Sequence, residues 1–215
     1  MPCAAHIFYQ GVIAFLRASR YNLDSLFWSL ILANRSYLYS CNIVPGTDTG
    51  AVARKRIGLS EWNWETPLVF RLLLSGNPRV CRSTIWNLED EIAIVGDYAQ
   101  GVEKLRAFLA RITLPEAQPL IAEAMAFLDD EANRQAWIVM ESGELYDMED
   151  ADMAALNRDM LASIQNVDSE AEAMLTALQP GAQGGSDGTN QSAEAALAEL
   201  GLGNWSNVLY FDLTD

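Results

Sequence analysis

Four short strand-like segments are scattered among helical patterns of unequal length, and this irregular order restricts the fold more than any other feature. Each segment is either apolar throughout or alternates with the period of two that strands show. The sequence has no regular strand–helix–strand rhythm, which would indicate a parallel sheet. We therefore expect an α+β fold, with a small mixed or antiparallel sheet of about four strands packed against several helices on one side. The four segments are residues 34–42, 92–95, 137–140 and 208–213.

The patterns between the strands have the spacing of amphipathic helices. Pro67 suits the first turn of a helix that ends at Gly76, the residue expected to supply a left-handed cap. A second helix is predicted over residues 102–112. Residues 150–178 keep an apolar helical repeat and favour one long helix, continuous or kinked, of about 40 Å. The sequence NVDS at 166–169 leaves an alternative open, in which one helix ends and another begins there.

Turn and capping residues give three local predictions. Residues 45–60 are rich in Pro, Gly and Thr and are predicted to form a loop, after which Ser60 caps a short helical turn. Asp97 lies between an apolar strand and a helix, so it is predicted to be an N-cap rather than part of an anion site. The apolar segment at 208–213 indicates a last strand buried in the sheet.

The chain divides into an apolar N-terminal extension and one domain. Residues 1–32 contain two apolar runs, each shorter than the roughly 20 residues that cross a bilayer, and no basic residue precedes the first run as in a signal peptide. Three interpretations are open: an added helical segment, an interfacial membrane anchor, or a stretch that is not translated. Residues 33–215 are predicted to form a single α+β domain with a flexible Gly/Ser-rich insertion at 180–192.

The charge of the chain is concentrated in its C-terminal half. Residues 1–115 carry 12 Lys and Arg against 9 Asp and Glu, whereas residues 116–215 carry 2 against 20. Such an acidic half repels nucleic acid and anionic lipid, and it favours a basic protein partner. The small basic cluster Arg54–Arg56 is predicted to be a solvated loop. We expect no nucleic-acid partner, and membrane attachment only if residues 1–32 are expressed and exposed.

Histidine and cysteine usage restricts the possible chemistry. The single histidine, His6, lies in the N-terminal extension, so the domain lacks the usual base of Ser–His and Cys–His systems and a usual zinc ligand. Cys3, Cys41 and Cys81 are odd in number and lack metal-ligand spacing, which predicts reduced thiols in a cytoplasmic protein. We expect no cofactor and no metal, and these features weigh against an enzyme.

Four segments resemble an uncharacterised bacterial family of unknown function: ANRSYLYS, LSEWNWETPLVFRLLLSGNPRVCRS, IAIVGDYAQGVEKLRAFLARI and NWSNVLYFD. Members of that family begin at an M-A-N-R-S-Y-L-Y element, which corresponds here to Ala33–Tyr39, with Leu32 at the position of the initiating Met. The resemblance therefore favours the interpretation that residues 1–32 are not translated. It implies a bacterial, cytoplasmic protein and supplies neither an activity nor site residues.

Tryptophan and arginine residues are the candidates for a binding site. A tryptophan buries a large area at low rotamer cost and serves cores and interfaces alike, so we expect at least one in the core. An arginine in apolar surroundings either pairs with a carboxylate or, if it points into a cleft, binds an anionic ligand. The candidates are Arg35, Trp62, Trp64, Arg71 and Trp205.

The acidic run from Glu141 to Asp152 allows two interpretations. Carboxylate oxygens bind divalent cations, but this run lacks the central Gly and terminal Glu that a calcium loop has in register. Runs of charge are usually solvated surface, so we expect exposed carboxylates along this run.

Two functions follow from these observations as hypotheses. The first is a non-enzymatic protein-interaction module, immunity-like or antitoxin-like, whose acidic half captures a basic protein by electrostatic steering. The second is a small-ligand-binding protein or enzyme that uses carboxylate and Arg side chains. It requires Arg35, Arg71 and Glu89 to converge in one pocket.

Overall fold

Five antiparallel strands form one sheet in the computed structural model, which describes residues 34–48, 50–178 and 197–213. The sheet order is β2–β1–β5–β4–β3, so β1 and β5 lie at its centre and β2 and β3 at its edges. The α+β prediction is confirmed, with an antiparallel sheet. The strands are β1 Arg35–Cys41, β2 Arg56–Asn63, β3 Arg79–Cys81, β4 Ala93–Asp97 and β5 Trp137–Glu141.

In the described residues one α-helix lies between β2 and β3, two lie between β4 and β5, and three follow β5. A 3₁₀ turn, Pro115–Ala117, precedes the third α-helix, and residues 197–200 are also helical. In the part of the chain that the structure describes, no helix combines the length and the apolarity needed to cross a bilayer. The α-helices are α1 Leu68–Leu74, α2 Tyr98–Leu109, α3 Gln118–Asp129, α4 Gly143–Tyr146, α5 Met153–Gln165 and α6 Val167–Ala177.

Capping residues explain where two of these helices begin. Asp97 Oδ1 accepts a hydrogen bond from Gln100 N at 2.9 Å, which confirms the predicted N-cap of α2. The helix favoured over 150–178 is instead two helices, because the backbone of Asn166 leaves the helical conformation at φ −110° and ψ 18°. The Asn166 side chain donates to Ala162 O, and Asp168 follows in the first turn of α6, where a negative charge favours a helix start.

The core lies on both faces of the sheet. On one face, Leu38 and Ile138 pack with residues of α1, α2 and α6 in the larger apolar cluster. On the opposite face, Tyr39 and Val139 belong to a smaller cluster made of strand residues, with Leu213 packed against it. Neighbouring strand residues therefore point into different clusters, as the alternation of a strand requires.

Strand β2 replaces the loop and helical turn predicted around Ser60. Residues 56–63 pair with the whole of β1, with one irregularity between Leu38 and Tyr39. Gly58 and Ser60 look like loop residues, but each has a role in the strand. A Cβ at Gly58 would lie 2.7 Å from Asn207 O, and the Ser60 hydroxyl donates to Gly203 O at 3.3 Å.

The predicted buried strand at 208–213 is wrong. Val208 is 83% exposed, and residues 205–213, called here the C-terminal segment, form one isolated β-bridge with β2, between Ser60 and Trp205. Ser206 N still donates to Leu59 O at 3.0 Å. Beyond it a side-chain carboxylate of β2 holds the backbone, because Tyr210 N donates to Glu61 Oε2 at 2.6 Å. The apolar residues therefore cover the sheet edge without joining the sheet.

The extension 1–32 and the insertion 180–192 lie outside the described residues. At the end of α1, Asn77 takes the left-handed conformation with φ 58°, whereas the sequence predicted Gly76 in that role. A Cβ at Gly76 would lie 2.7 Å from Gly101 N, so Gly76 is required by close packing and not by its φ angle.

Glycines allow α1 to lie directly against β4 and α2. A Cβ at Gly96 would lie 2.5 Å from Leu74 O, and a Cβ at Gly101 would overlap the carbonyl oxygen of Leu73. Backbone at both contacts leaves no side chain that could move aside. The approach of these three elements therefore depends on glycine at positions 96 and 101.

Replacing Gly101 by alanine tests this packing. We expect Gly101→Ala to lower the free energy of unfolding by about 3 kcal/mol or more, since the added methyl group overlaps fixed backbone. Helix propensity alone would stabilise the same variant by about 1 kcal/mol. Urea unfolding measures the difference, with Ala107→Gly at an exposed position of α2 as the control for propensity. A gain in stability for Gly101→Ala would contradict the packing.

Candidate functional site

Glu141 is a buried carboxylate at the end of a central strand. The register of β5 places it opposite Tyr37 of β1 on one side and Ala93 of β4 on the other. The residue is 1% exposed. The expectation of exposed carboxylates along the whole run from Glu141 to Asp152 is therefore wrong at Glu141, because β5 extends through it. It is also wrong at Glu144, which is partly buried and accepts hydrogen bonds from Arg35 N and Tyr37 Oη.

Four donors surround the Glu141 carboxylate. It accepts hydrogen bonds from Thr84 N at 2.6 Å, from Thr84 Oγ1 at 2.8 Å, from Tyr39 Oη at 3.1 Å and from Ser83 Oγ. Ser83 Oγ itself accepts from Ile85 N at 3.0 Å and Trp86 N at 2.8 Å, so its proton is directed at Glu141. An ionised carboxylate has acceptors alone, and this set of donors matches it.

Burial and hydrogen bonding act on the Glu141 pKa in opposite directions. Burial raises the pKa of Glu141, and the bonds from Ser83, Thr84 and Tyr39 lower it, with burial the larger effect. Burial and the charge of Glu141 also raise the pKa of Tyr39. A carboxylate kept in such a place costs stability, which is typical of residues with a functional or positioning role.

The buried thiols near this network are unreactive. Cys41 and Cys81 are free, and Cys3 lies outside the described residues. Burial raises the pKa of Cys41 to about 12, and burial followed by the charge of Glu141 raises the pKa of Cys81. Both thiols are therefore protonated near neutral pH and are poor nucleophiles.

The Glu141 network fixes the loop between β3 and β4. Ser83 and Thr84 tie the beginning of this loop to β5, and the indole of Trp86 packs against Gly143 at the start of α4, where a Cβ would overlap it. The loop continues through the exposed residues 87–91. The position of this loop therefore depends on the Glu141 carboxylate, which the loop covers.

Asn157 of α5 brings this loop next to the one that follows α4. Its Nδ2 atom donates to Glu91 O at 2.9 Å and to Ala93 O at 3.0 Å, and its Oδ1 atom accepts from Tyr146 Oη at 3.2 Å. Tyr146 ends α4 and directly precedes the acidic residues. We call the exposed carboxylates of these two loops the acidic surface: Glu89, Asp90, Glu91, Asp147, Glu149, Asp150 and Asp152.

Two large apolar side chains lie within the same loops. Leu88 is 42% exposed and Met148 is 49% exposed. Each is next to acidic residues in the sequence. Isolated exposed apolar residues are common, but an apolar residue in each half of a charged surface is also the composition of a protein-binding patch. No group of three or more His, Cys, Asp or Glu residues in the described ranges is arranged to hold a metal ion.

The two candidate arginines have different carboxylate partners. Arg35 Nε lies 3.5 Å from Glu61 Oε1, and the guanidinium stacks 4.2 Å from the centroid of the Tyr210 ring. Arg71 makes a two-point contact with the Glu170 carboxylate of α6. Both fit the expectation that a semi-buried arginine pairs with a carboxylate. Glu89 is exposed in the acidic surface and shares neither contact.

The candidate tryptophans occupy different environments. Trp62 is partly buried against the larger apolar cluster and donates from Nε1 to Glu65 Oε1 at 2.9 Å. Trp205 is also partly buried and packs against Phe127 at a centroid distance of 5.8 Å. Trp64 is 61% exposed, with φ 70°. Trp64 is therefore the one of these three available for a partner without rearrangement.

Sequence reasoning missed the residues that organise this site. A glutamate at the end of the apolar run WIVME was the available signal, because a strand that continues through it buries the side chain. Ser83 and Thr84 gave no local signal, since their partner lies 58 and 57 residues away in the sequence.

The described residues form an α+β domain whose buried carboxylate network supports an acidic surface. The chain belongs to the family described as a domain of unknown function (DUF7822), whose model matches residues 42–181. The matched range includes Glu141, Ser83, Thr84 and the whole acidic surface. It confirms the resemblance to an uncharacterised family, whereas a start at Ala33–Tyr39 stays a prediction. No curated protein and no solved structure matches the chain.

Neutralising Glu141 tests the network. We expect Glu141→Gln to lower the free energy of unfolding by about 2 kcal/mol at neutral pH, because an amide NH₂ replaces an acceptor oxygen among four donors. Thr84→Val is expected to cost about 1 kcal/mol, since the backbone N–H bond remains. Urea unfolding gives both values, with the exposed Glu149→Gln as the control. Equal effects at positions 141 and 149 would contradict the network.

The raised pKa of Glu141 also predicts a pH dependence. The folded protein binds a proton at this carboxyl more readily than the unfolded chain, whose pKa is about 4.3. The contribution of Glu141 to stability, measured against Glu141→Gln, is therefore fully present below the unfolded-state pKa and is lost as the pH rises through the folded-state pKa. Unfolding free energies of both proteins across this range test the sign. A difference that grows with pH would show a lowered pKa instead.

Proposed function

We propose that the protein is a non-enzymatic interaction module that binds a basic protein partner in the bacterial cytoplasm, in an immunity-like or antitoxin-like role. The observation that carries this proposal is the acidic surface, in which Asn157 brings together two loops with seven exposed carboxylates. A negative surface of this kind attracts a positive one and speeds diffusional encounter.

The apolar residues of the two loops give the surface a means of holding a partner. Charge accelerates association, but buried apolar contacts supply much of the affinity of an interface. Leu88 and Met148 are exposed between the carboxylates. Methionine adapts its shape to a partner at low cost. Basic partners with apolar groups beside their Lys and Arg residues therefore suit this surface best.

Trp64 is the notable aromatic residue for the same interface. It lies two residues before Thr66, whose hydroxyl is 3.3 Å from that of Ser142 directly ahead of α4. Exposed tryptophan is a frequent centre of binding energy. The other four candidates would affect binding indirectly, because each supports a part of the fold. They are Trp62, Trp205, Arg35 and Arg71.

The alternative function, a ligand-binding protein or enzyme built on Arg35, Arg71 and Glu89, has weaker support. Arg35 contacts Glu61 and Tyr210, whereas Arg71 contacts Glu170 and Ser163. The two arginines thus use their charge on separate carboxylates. Glu89 lies in the exposed loop of the acidic surface.

Affinity capture from the native host tests the proposal when it is combined with a charge variant. We expect a partner that binds at about 0.1 M salt and is released at about 1 M, where the Debye length falls to about 3 Å. Neutralising Glu89, Asp90 and Glu91 together is expected to weaken binding of the purified partner by about tenfold or more.

A matched variant separates the surface from net charge. Glu116, Glu123 and Glu131 are exposed, lie outside the acidic surface, and give the same change in total charge when replaced by glutamine. We expect less than about a threefold loss for this control. Equal losses in both triple variants, or a partner whose binding ignores salt, would rule out the acidic surface as the binding site. Calorimetric titration measures the affinities.

A further inference from the structure

A polar cavity lies beside the Glu141 network, and its chemistry is opposite to that of the acidic surface. The cavity has a volume of about 280 Å³ and is lined by Arg54, Arg56, Ser83, Thr84 and residues 211–213 of the C-terminal segment. A second cavity of about 410 Å³ shares Arg56 and residues 211–213 in its walls. The two cavities therefore adjoin at Arg56 and residues 211–213.

Two guanidinium groups line the smaller cavity in a protein of net charge −15. Arg56 Nη1 donates to Leu213 O at 2.9 Å, so this wall already binds an oxygen acceptor supplied by the chain. Arg54 donates from Nη2 to Thr47 O at 3.3 Å, one of the five N–H bonds of its guanidinium. Planar guanidinium groups match the geometry of carboxylate and phosphate oxygens.

Two residues of the Glu141 network form part of the cavity wall. Ser83 and Thr84 line it, and both hydroxyl groups are hydrogen-bonded to Glu141. Glu141 does not line the cavity, and because both hydroxyl protons are directed at it, the hydrogen bonds to an anion would have to come from Arg54 and Arg56. Fixed side chains lose little freedom on binding, which lowers the entropic cost of holding a small ligand.

The wall contributed by the C-terminal segment contains one negative group. Asp212 lines the same cavity as Arg54 and Arg56. A ligand anion would share these arginines with the Asp212 carboxylate. The charge of Asp212 therefore opposes anion binding, whereas that of Arg54 favours it, and substitutions at the two positions have opposite expected effects.

We propose that this cavity is a binding site for a small carboxylate or phosphate, with Arg54 and Arg56 as the anion-binding groups and Asp212 as the competing one. The site is independent of the acidic surface, since no residue is common to both. It adds a small-molecule ligand to a protein whose proposed function is to bind another protein.

Titration of the full-length protein with inorganic phosphate and with succinate tests the proposal. We expect saturable binding that sodium chloride of equal ionic strength does not reproduce. Arg54→Gln is expected to weaken it about tenfold, the loss of one charge-assisted contact, and Asp212→Asn to strengthen it about threefold. Stronger binding of phosphate identifies a phosphate site, and stronger binding of succinate a carboxylate site.

Lys55→Gln is the matched control, because Lys55 is exposed, adjacent in sequence and not a lining residue. It removes the same charge and is expected to change the affinity less than about twofold. Thermal unfolding of each variant without ligand shows whether it is folded. Equal losses in Arg54→Gln and Lys55→Gln, or responses no larger than those to chloride, would overturn the proposal.

Discussion

The hydrogen bonding of one buried carboxylate determines much of the arrangement around the sheet. Glu141 would be costly to bury alone, because an isolated ionised group loses its hydration. Its donors come from β1, through Tyr39, and from the loop after β3, through Ser83 and Thr84. The hydrogen bonds that offset the cost of burying the carboxylate therefore also fix that loop. Removing either the carboxylate or its donors leaves the other with unsatisfied buried polar groups.

The charge of the protein is separated into two regions with different uses. Acidic residues occupy the loops beside Asn157, whereas Arg54 and Arg56 line the cavity at the start of β2. The net charge of −15 describes neither region. Local arrangement thus matters more than net charge when a partner or ligand is considered. The Glu141 network contributes to both regions, because Ser83 lines the cavity and also lies in the loop between β3 and β4, which carries part of the acidic surface.

Local sequence patterns correctly predicted the elements that they define. Elements that depend on contacts between residues far apart in the sequence were not predicted. Strands β1, β4 and β5 and the Asp97 cap follow from periodicity and from a residue next to a helix start. Strand β2 did not, because Gly58 and Ser60 suit a loop unless β1 and the C-terminal segment lie beside them. The apolar residues at 208–213 predicted a strand that does not form, since an apolar run suits a segment that covers a sheet edge as well as it suits a strand.

The neutrality of the donors around Glu141 links the buried network to the cavity. No arginine or lysine donates to this carboxylate in the described residues, so its charge is hydrogen-bonded but not cancelled. The negative charge of Glu141 lies behind Ser83 and Thr84, so it adds to the charge of Asp212 in opposing an anion in the cavity. The attraction for an anion therefore has to come from Arg54 and Arg56, whose guanidinium groups also donate to Thr47 O and Leu213 O.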